Sequence, residues 1–225
     1  MKNTPIAIFD FCDTLVDFQS ADAFVAYVKQ RTADTFRRRL IEGLRTFLIK
    51  TKLIRLLQKL DSSSYINKRL LLFELRGVSK KQLETFGESF FREVILNRYR
   101  PEVVKEISRL KQLGFRTCIA SGGYDVYLAY VKKQLAVDEL VCTSLKYKKG
   151  IFTGFFTGKD CLGNAKLTLV CKQLGKLLTD SQSVFYSDSA TDLPLLKYCC
   201  KGVVVCTKIP DWATTHHLEV LVCKK

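Results

Sequence analysis

The sequence predicts an α/β fold in which a parallel sheet lies between two layers of helices. Short apolar runs typical of buried strands alternate with segments of helical periodicity, and this alternation favours a parallel sheet covered on both faces. The 225 residues suit one large domain, or a core domain that carries an insertion. Strands are expected over 6–11, 115–121, 139–145, 183–188, 202–207 and 218–223, with a β-hairpin or ribbon over 146–160.

Helices are expected between these strands. Pro101 suits the first turn of a helix that runs to Leu113, and Gly114 suits its end. Helical spacing also covers residues 125–135, 164–175 and 191–199.

Residues 17–97 are expected to form a helical insertion between the first two strands. Apolar side chains recur there at helical spacing with basic residues between them. The sequence DSSS at 61–64 is typical of a break that can cap the next helix. Two further helices are expected over 65–75 and 80–96.

The chain is strongly basic, with 37 Lys and Arg against 22 Asp and Glu and a formal net charge of +15. Residues 31–69 alone hold eleven Lys and Arg against three Asp and Glu. Such charge indicates an anionic partner. Three interpretations stay open: a solvated helix surface, a surface for a phosphorylated substrate, and contact with an anionic membrane. Nucleic acid is not expected, because no RNA- or DNA-binding motif occurs.

Nine cysteines occur without a CxxC pair, and most lie in apolar surroundings, as buried reduced thiols do. This pattern is typical of a reducing compartment. We expect no secretory leader, because the first apolar run is interrupted at Asp10. A cytoplasmic location is therefore expected, with a peripheral position at the inner membrane face as the alternative.

Polar clusters follow three of the expected strands, and they contain Asp10, Ser121 and Asp188. The carboxyl ends of parallel strands meet at one edge of a sheet, so these residues are expected to form one site. Clustered carboxylates favour Mg²⁺, and backbone N–H groups around Gly122 and Gly123 can hold phosphate oxygens. With a lysine added, this combination suits phosphoryl transfer through an aspartyl-phosphate.

Four motifs occur in an order and spacing that resemble the haloacid dehalogenase superfamily, in its phosphoserine-phosphatase-like branch. The resemblance covers nearly the whole chain. In the third motif Lys166 is the better candidate and Lys159 the weaker one. The four matches are DFCDT at 10–14, IASGG at 119–123, GKDCLGNAK at 158–166 and SDSATD at 187–192.

This resemblance implies a Rossmann-like three-layer core made of residues 1–16 and 98–225, with a substrate-selecting helical cap at 17–97. It also implies Mg²⁺ as the cofactor, a phosphorylated small molecule as the substrate, and a phosphomonoester hydrolase as the enzyme. The implied roles are Asp10 as nucleophile and metal ligand, Ser121, Gly122 and Lys166 as phosphate-binding groups, Asp188 as a metal ligand, Asp192 as a ligand or as support for one, and the backbone carbonyl of Cys12 as a further ligand.

Cys12 departs from the family pattern, in which an aspartate two residues after the nucleophile protonates the leaving group. A thiol is a poor substitute for that carboxyl group. Four interpretations stay open. The enzyme works slowly, on good leaving groups, or with a proton from Asp13 or a cap residue; it cleaves another bond; it only binds a phosphorylated ligand or an anionic membrane; or the alignment is displaced. Hydrolysis of phospholipids is a further alternative.

Overall fold

A computed structural model describes residues 4–33, 36–51, 66–175, 178 and 182–224 of the chain. The expected break at 61–64, and with it part of the basic stretch 31–69, lies outside the described residues.

The described residues contain one seven-stranded sheet with the order β4-β3-β2-β1-β5-β6-β7. Neighbouring strands are parallel except for the β3–β4 pair, which is antiparallel. The predicted α/β fold with a mainly parallel sheet is therefore confirmed. The strands are β1 (Ile6–Phe9), β2 (Arg116–Tyr124), β3 (Glu139–Lys148), β4 (Ile151–Thr157), β5 (Ser183–Ser187), β6 (Lys201–Cys206) and β7 (Glu219–Val222).

Two strands differ in length from the sequence-based expectation. β2 continues past Ser121 to Tyr124, with an irregularity in its pairing to β3 over that span, so the glycine pair belongs to the strand end. β3 continues to Lys148 and turns into β4 through Lys149 and Gly150, whose φ values are 50° and 74°. Both residues adopt the left-handed conformation that tight hairpin turns require.

Helices flank the sheet, and some of them carry clear end signals. Ser79 and Gln82 form a reciprocal capping box at the start of one helix, and Pro101 occupies the first turn of another. The helices are α1 (Ser20–Arg31), α2 (Phe36–Lys50), α3 (Ile66–Phe73), α4 (Lys80–Phe90) continued by a π-helical turn (Phe91–Ile95), α5 (Pro101–Gln112), α6 (Asp125–Gln134), α7 (Gly163–Leu174), a 3₁₀ turn (Ala190–Asp192), α8 (Leu193–Tyr198) and α9 (Asp211–Thr215).

Helices α1 to α4 lie between β1 and β2 in the chain, where the helical insertion is expected. The two connections to the sheet run side by side, because Val16 and Tyr99 form an antiparallel bridge. The Arg100 N–H also donates to the Leu15 carbonyl at 2.9 Å. The division into a core of 1–16 and 98–225 and a cap of 17–97 stays a prediction, and this bridge lies beside its boundaries.

The sheet carries an apolar cluster on each face. In β1, Ala7 and Phe9 belong to the larger cluster, while Ile6 and Ile8 belong to the other. This follows from the alternation of side chains along a strand. All four residues are fully buried, so β1 is a central strand that fixes the position of whatever follows it.

The insertion packs on helix α6 through aromatic side chains. Phe24 of α1 and Phe90 of α4 both contact the ring of Tyr127 in α6, with centroid distances of 5.2 and 5.3 Å. Aromatic pairs at such distances stabilise an interface beyond the area they bury. Among the described helices, none combines the length and apolar character needed to cross a membrane.

Candidate active site

The predicted site residues meet at the carboxyl ends of three adjacent strands. Asp10 follows β1, Asp188 follows β5, and Ser121 lies near the end of β2. The parallel registers place Phe9 opposite Ile119 and Tyr186, so the three strands end at one edge. The seven predicted residues Asp10, Cys12, Ser121, Gly122, Lys166, Asp188 and Asp192 all line one cavity of about 330 Å³.

Lys166 is the buried cation of this cavity. Its Nζ lies 2.9 Å from Asp10 Oδ1 and 2.5 Å from Asp192 Oδ2. Burial alone lowers the pKa of a lysine, but the two carboxylates outweigh it and hold the pKa of Lys166 above its usual value. Lys166 is therefore a permanent positive charge beside Asp10. Lys159, the weaker candidate, lines a neighbouring cavity instead.

Asp10 is buried, with only 7% of the residue exposed. Its burial raises its pKa to about 7; the charge of Lys166 acts in the opposite direction, and the carboxylates of Asp192 and Asp188 add to the rise. Burial likewise raises the pKa of Asp188 to about 6. Several carboxyl groups thus share a poorly solvated space, which a cation would stabilise in their ionised form.

Thr14, four residues after Asp10, has a side chain that binds Asp188. Its hydroxyl donates to Asp188 Oδ1 at 2.9 Å and accepts from the Asp188 N–H at the same distance. Thr14 is fully buried. The segment after β1 is in this way tied to the segment after β5, and the Asp188 carboxylate is held at the cavity.

Asp192 makes different contacts from those of Asp188. Its Oδ2 accepts from Lys166 and, at 2.8 Å, from the Ser187 hydroxyl. Its Oδ1 is buried and has no hydrogen-bond partner in the described part of the chain. The residue is 1% exposed. These contacts suit a group that holds Lys166 in place better than one that faces the open cavity.

The donor set fits Mg²⁺, the hard cation that the sequence implies. Asp10 and Asp188 supply carboxylates, and the Cys12 main-chain carbonyl would supply a neutral oxygen, with water completing the shell. Within the described residues, no three His, Cys, Asp or Glu side chains are grouped to hold a metal. A site with two carboxylates and one carbonyl does not require such a group.

Ser121 and Gly122 line the cavity, and their role as phosphate-binding groups stays a prediction. The Ser121 hydroxyl accepts from the Gly123 N–H at 3.0 Å. A Cβ atom on Gly122 would lie 2.6 Å from Leu162 Cδ2 and 3.1 Å from Lys68 Nζ, so a larger residue would collide with the wall. Glycine at position 122 lets the side chains of Leu162 and Lys68 approach the main chain closely.

Cys12 lines the cavity, but its thiol is engaged with α1. Its Sγ lies 3.1 Å from the Ser20 hydroxyl and 3.4 Å from the Ser20 N–H. The Ser20 hydroxyl also contacts the Tyr127 hydroxyl at 2.8 Å. Burial, with the nearby Asp10 charge adding to it, raises the pKa of Cys12 to about 11. The thiol therefore stays protonated at neutral pH.

The insertion contributes cavity residues that the sequence analysis did not identify. They are polar residues of α1, α3 and the segment before α1, and no motif spacing marks them. The only signal for them in the sequence was the expectation that the insertion covers the site. They are Gln19, Asp22, Asn67 and Lys68.

Comparison with known proteins places the chain in a family. The haloacid dehalogenase-like hydrolase family matches residues 7–197. The chain is 26% identical to a histidinol-phosphatase of Neisseria meningitidis over 91% of this chain and 90% of that protein. It is 24% identical to a phosphoserine phosphatase of Methanocaldococcus jannaschii over 92% of this chain and 88% of that protein.

Solved structures share the fold. A protein of unknown function from Bordetella pertussis superposes with a TM-score of 0.79 at 21% identity, over 98% of this chain and 99% of that one. A phospho-aspartyl intermediate analogue of phosphoserine phosphatase superposes with a TM-score of 0.62 at 20% identity, over 98% and 94% of the two chains.

The α/β core and the site at its strand ends are those of a hydrolase. The chain belongs to the haloacid dehalogenase-like hydrolase family. Its relatives include a phosphoserine phosphatase, in agreement with the branch that the four motifs predict. The predicted class of enzyme, a phosphatase of this family, is thereby confirmed.

Proposed function

We propose that the chain hydrolyses a phosphomonoester in a Mg²⁺-dependent reaction that passes through an aspartyl-phosphate on Asp10. The observation that carries this proposal is the contact of Lys166 with both Asp10 and Asp192 on the floor of a cavity that Ser121 also lines. A carboxylate nucleophile beside a buried permanent cation suits transfer of a dianionic phosphoryl group.

The chain's own residues divide the work of the first step. Lys166 and the Ser121 hydroxyl bind the phosphoryl oxygens, and Asp192 holds Lys166 in position through Oδ2. Asp10 attacks phosphorus, and the bond from phosphorus to the leaving oxygen breaks. Mg²⁺, held by Asp10, Asp188 and the Cys12 carbonyl, would supply neutralisation of charge on the transferring group. Water then hydrolyses the aspartyl-phosphate and restores Asp10.

Protonation of the leaving group is the weak point of this site. The Cys12 thiol, with its pKa raised to about 11, is a poor acid near neutral pH. Asp13 has a left-handed backbone with φ of 53°, and Gln19 donates to its carboxylate. Asp13 is also absent from the described residues that line the cavity. Asp13 is therefore not the acid in our proposal.

The substrate we propose is a phosphorylated small molecule. The relatives are named for histidinol phosphate and phosphoserine hydrolysis, and the cavity is small and polar. The walls supplied by the insertion carry carboxylate, amide and ammonium groups, which suits a leaving group with several polar substituents.

A phospholipid substrate or an anionic membrane surface is the second candidate. On α2, Leu40, Leu44 and Phe47 recur on one face and are 64%, 53% and 60% exposed, on a helix that also carries several arginines. An exposed apolar stripe among basic residues is typical of interfacial helices. Binding of the protein to vesicles of phosphatidylglycerol, weakened by salt, would support this candidate over a small metabolite.

The test uses p-nitrophenyl phosphate, whose leaving group needs little protonation. Wild-type turnover should require added Mg²⁺ and stop with a chelator. Asp10→Asn should lose at least about 10³-fold in kcat/KM, whereas Asp13→Asn should keep most of it. Mass spectrometry of acid-quenched protein should find the phosphoryl group on Asp10. Wild-type turnover that persists in Asp10→Asn would overturn the proposal.

A further inference from the structure

We propose that Asp22, at the start of α1, is the acid–base carboxyl group of this enzyme and replaces the aspartate that Cys12 displaces. This inference rests on the proposed function and names a residue for the step that the thiol performs poorly. Three observations support it: the way α1 is fixed, the position of Asp22, and the occupation of the other carboxylates.

The thiol of Cys12 fixes the first turn of α1 against the cavity. The Ser20 N–H, at the start of the helix, donates to Cys12 Sγ at 3.4 Å, and the Ser20 hydroxyl lies 3.1 Å from the same atom. The Tyr127 hydroxyl holds that hydroxyl from the other side at 2.8 Å. Ser20 is fully buried. Position 12 therefore serves as an anchor for the helix start.

Asp22 lies two residues beyond this anchor and lines the cavity together with Gln19 and Ala21. Asp22 therefore reaches the cavity from the insertion, whereas Asp10, Ser121 and Asp188 reach it from the strand ends. The segment that carries Asp22 is thus held in place by the Cys12 thiol through Ser20.

The other carboxyl groups of the cavity are committed elsewhere. Asp10 and Asp192 pair with Lys166, and Asp188 accepts from Thr14. The Asp22 carboxylate makes no hydrogen bond or ion pair within the part of the chain that the structure describes. It is the one carboxyl group of the described cavity wall that remains available to a substrate.

The proton balance is complete with this residue. As Asp10 Oδ bonds to phosphorus, the bond from phosphorus to the leaving oxygen breaks, and the Asp22 carboxyl gives its proton to that oxygen to form an alcohol. In the second half the Asp22 carboxylate takes a proton from the water that attacks the aspartyl-phosphate. Inorganic phosphate leaves, Asp10 is restored, and Asp22 is again protonated.

Asp22 also lies in the first turn of α1, where an acidic side chain stabilises a helix through its dipole. The experiment must separate this structural role from acid–base catalysis. The two roles can be separated by comparing substrates with good and poor leaving groups. Loss of a general acid slows the reaction more when the leaving group is poor, whereas loss of helix stability affects both substrates alike.

The experiment compares wild type, Asp22→Asn and Asp17→Asn on p-nitrophenyl phosphate and on an alkyl phosphate such as glycerol 2-phosphate. Asp17 is the matched control, since its carboxylate pairs with Arg98 and it does not line the cavity in the described structure. We expect Asp22→Asn to lose on the order of 10² or more in kcat/KM on the alkyl phosphate and only a few-fold on p-nitrophenyl phosphate. Asp17→Asn should change neither.

A second variant keeps the test decisive. Cys12→Asp in the Asp22→Asn background should recover alkyl phosphate hydrolysis, because it returns a carboxyl group to the family position. Equal losses on the two substrates, or no loss on either, overturn the assignment of Asp22. Absence of p-nitrophenyl phosphate turnover in wild type is a separate result: it overturns the proposed function and this inference with it.

Discussion

Lys68 Nζ lies 2.6 Å from Asp160 Oδ1, and the same distance separates it from the main-chain oxygen of Gly122. The pair joins α3 of the insertion to the segment between β4 and α7, beside Gly122 in the cavity lining. The two side chains are 12% and 9% exposed. Asp160 Oδ1 also accepts from Thr143 at 2.6 Å, so the carboxylate is fixed from the core side. Lys68 thus holds the insertion over the site.

Lys68→Met should destabilise the protein by about 2 kcal/mol, because it leaves the Asp160 carboxylate buried without its cation. It should also raise KM for a phosphomonoester, since the insertion covers the site less firmly. Urea unfolding and steady-state kinetics measure the two effects. Lys68→Arg should recover part of both, and Lys81→Met, at an exposed position of α4, should change neither. A Lys68→Met variant as stable as wild type would contradict the role of this contact.

A second prediction concerns the buried group of Lys166, Asp10 and Asp192. Lys166→Met removes the cation and leaves two carboxylates in a poorly solvated space, so it should cost about 3–5 kcal/mol of unfolding free energy and abolish activity. Asp192→Asn added to this variant should restore part of the stability, because one uncompensated charge is gone, but no activity. Urea denaturation of the single and double variants gives the coupling energy. If the losses of unfolding free energy in the Lys166 and Asp192 variants simply add, the two side chains do not stabilise each other as a pair.

Much of this architecture could be predicted from the sequence. β1, β5 and β6 are short apolar runs with polar ends, and their residues meet the expectations for central parallel strands. The carboxylates of Asp10 and Asp188 follow such strands directly, so their convergence is a consequence of parallel pairing. Lys166 could be identified only from the family motif, because helical spacing does not show which lysine is buried.

The part of the site that the insertion supplies could not be predicted in the same way. Lys68 and Asp22 lie on helices whose sequences show an ordinary mixture of polar and apolar residues. Their arrival at the cavity depends on tertiary contacts: the aromatic packing of Phe24 and Phe90 on Tyr127, and the Lys68–Asp160 pair. A helical wheel shows which face is apolar, but not which polar residue at its border reaches a site.

The thiols Cys200 and Cys206, close in sequence, should differ in reactivity. Cys200 is exposed, and hydrogen bonds from the backbone and side chain of Ser183 lower its pKa. Burial raises the pKa of Cys206. Because the thiolate is the reactive form, Cys200 should react faster with iodoacetamide at pH 7.5. Raising the pH towards 9 should bring the two labelling rates closer together in ratio, because the thiolate fraction of Cys206 then rises by a larger factor than that of Cys200. Peptide mass spectrometry over time measures the labelling rates of the two cysteines. Faster labelling of Cys206 than of Cys200 would contradict the prediction.

Two helical glycines should respond oppositely to alanine. Gly87 of α4 packs against the start of α6, and a Cβ atom there would lie 2.1 Å from the Val126 carbonyl oxygen. This neighbour is backbone and cannot move aside cheaply, so Gly87→Ala should destabilise by about 1–3 kcal/mol despite the better helix propensity of alanine. Around Gly43 of α2, no atom of the described residues lies within 4 Å of the added atom. Gly43→Ala should therefore stabilise by about 0.5–1 kcal/mol.

Urea unfolding of wild type and the two variants measures whether each substitution raises or lowers the free energy of unfolding. The comparison isolates packing, because the substitution and the helical setting are the same and only the surroundings of the new methyl group differ. Since α4 precedes β2 and α6 follows it, a loss of stability in Gly87→Ala also reports how closely the inserted helix α4 approaches α6. A stabilised Gly87→Ala variant would mean that α4 and α6 lie further apart than the structure places them.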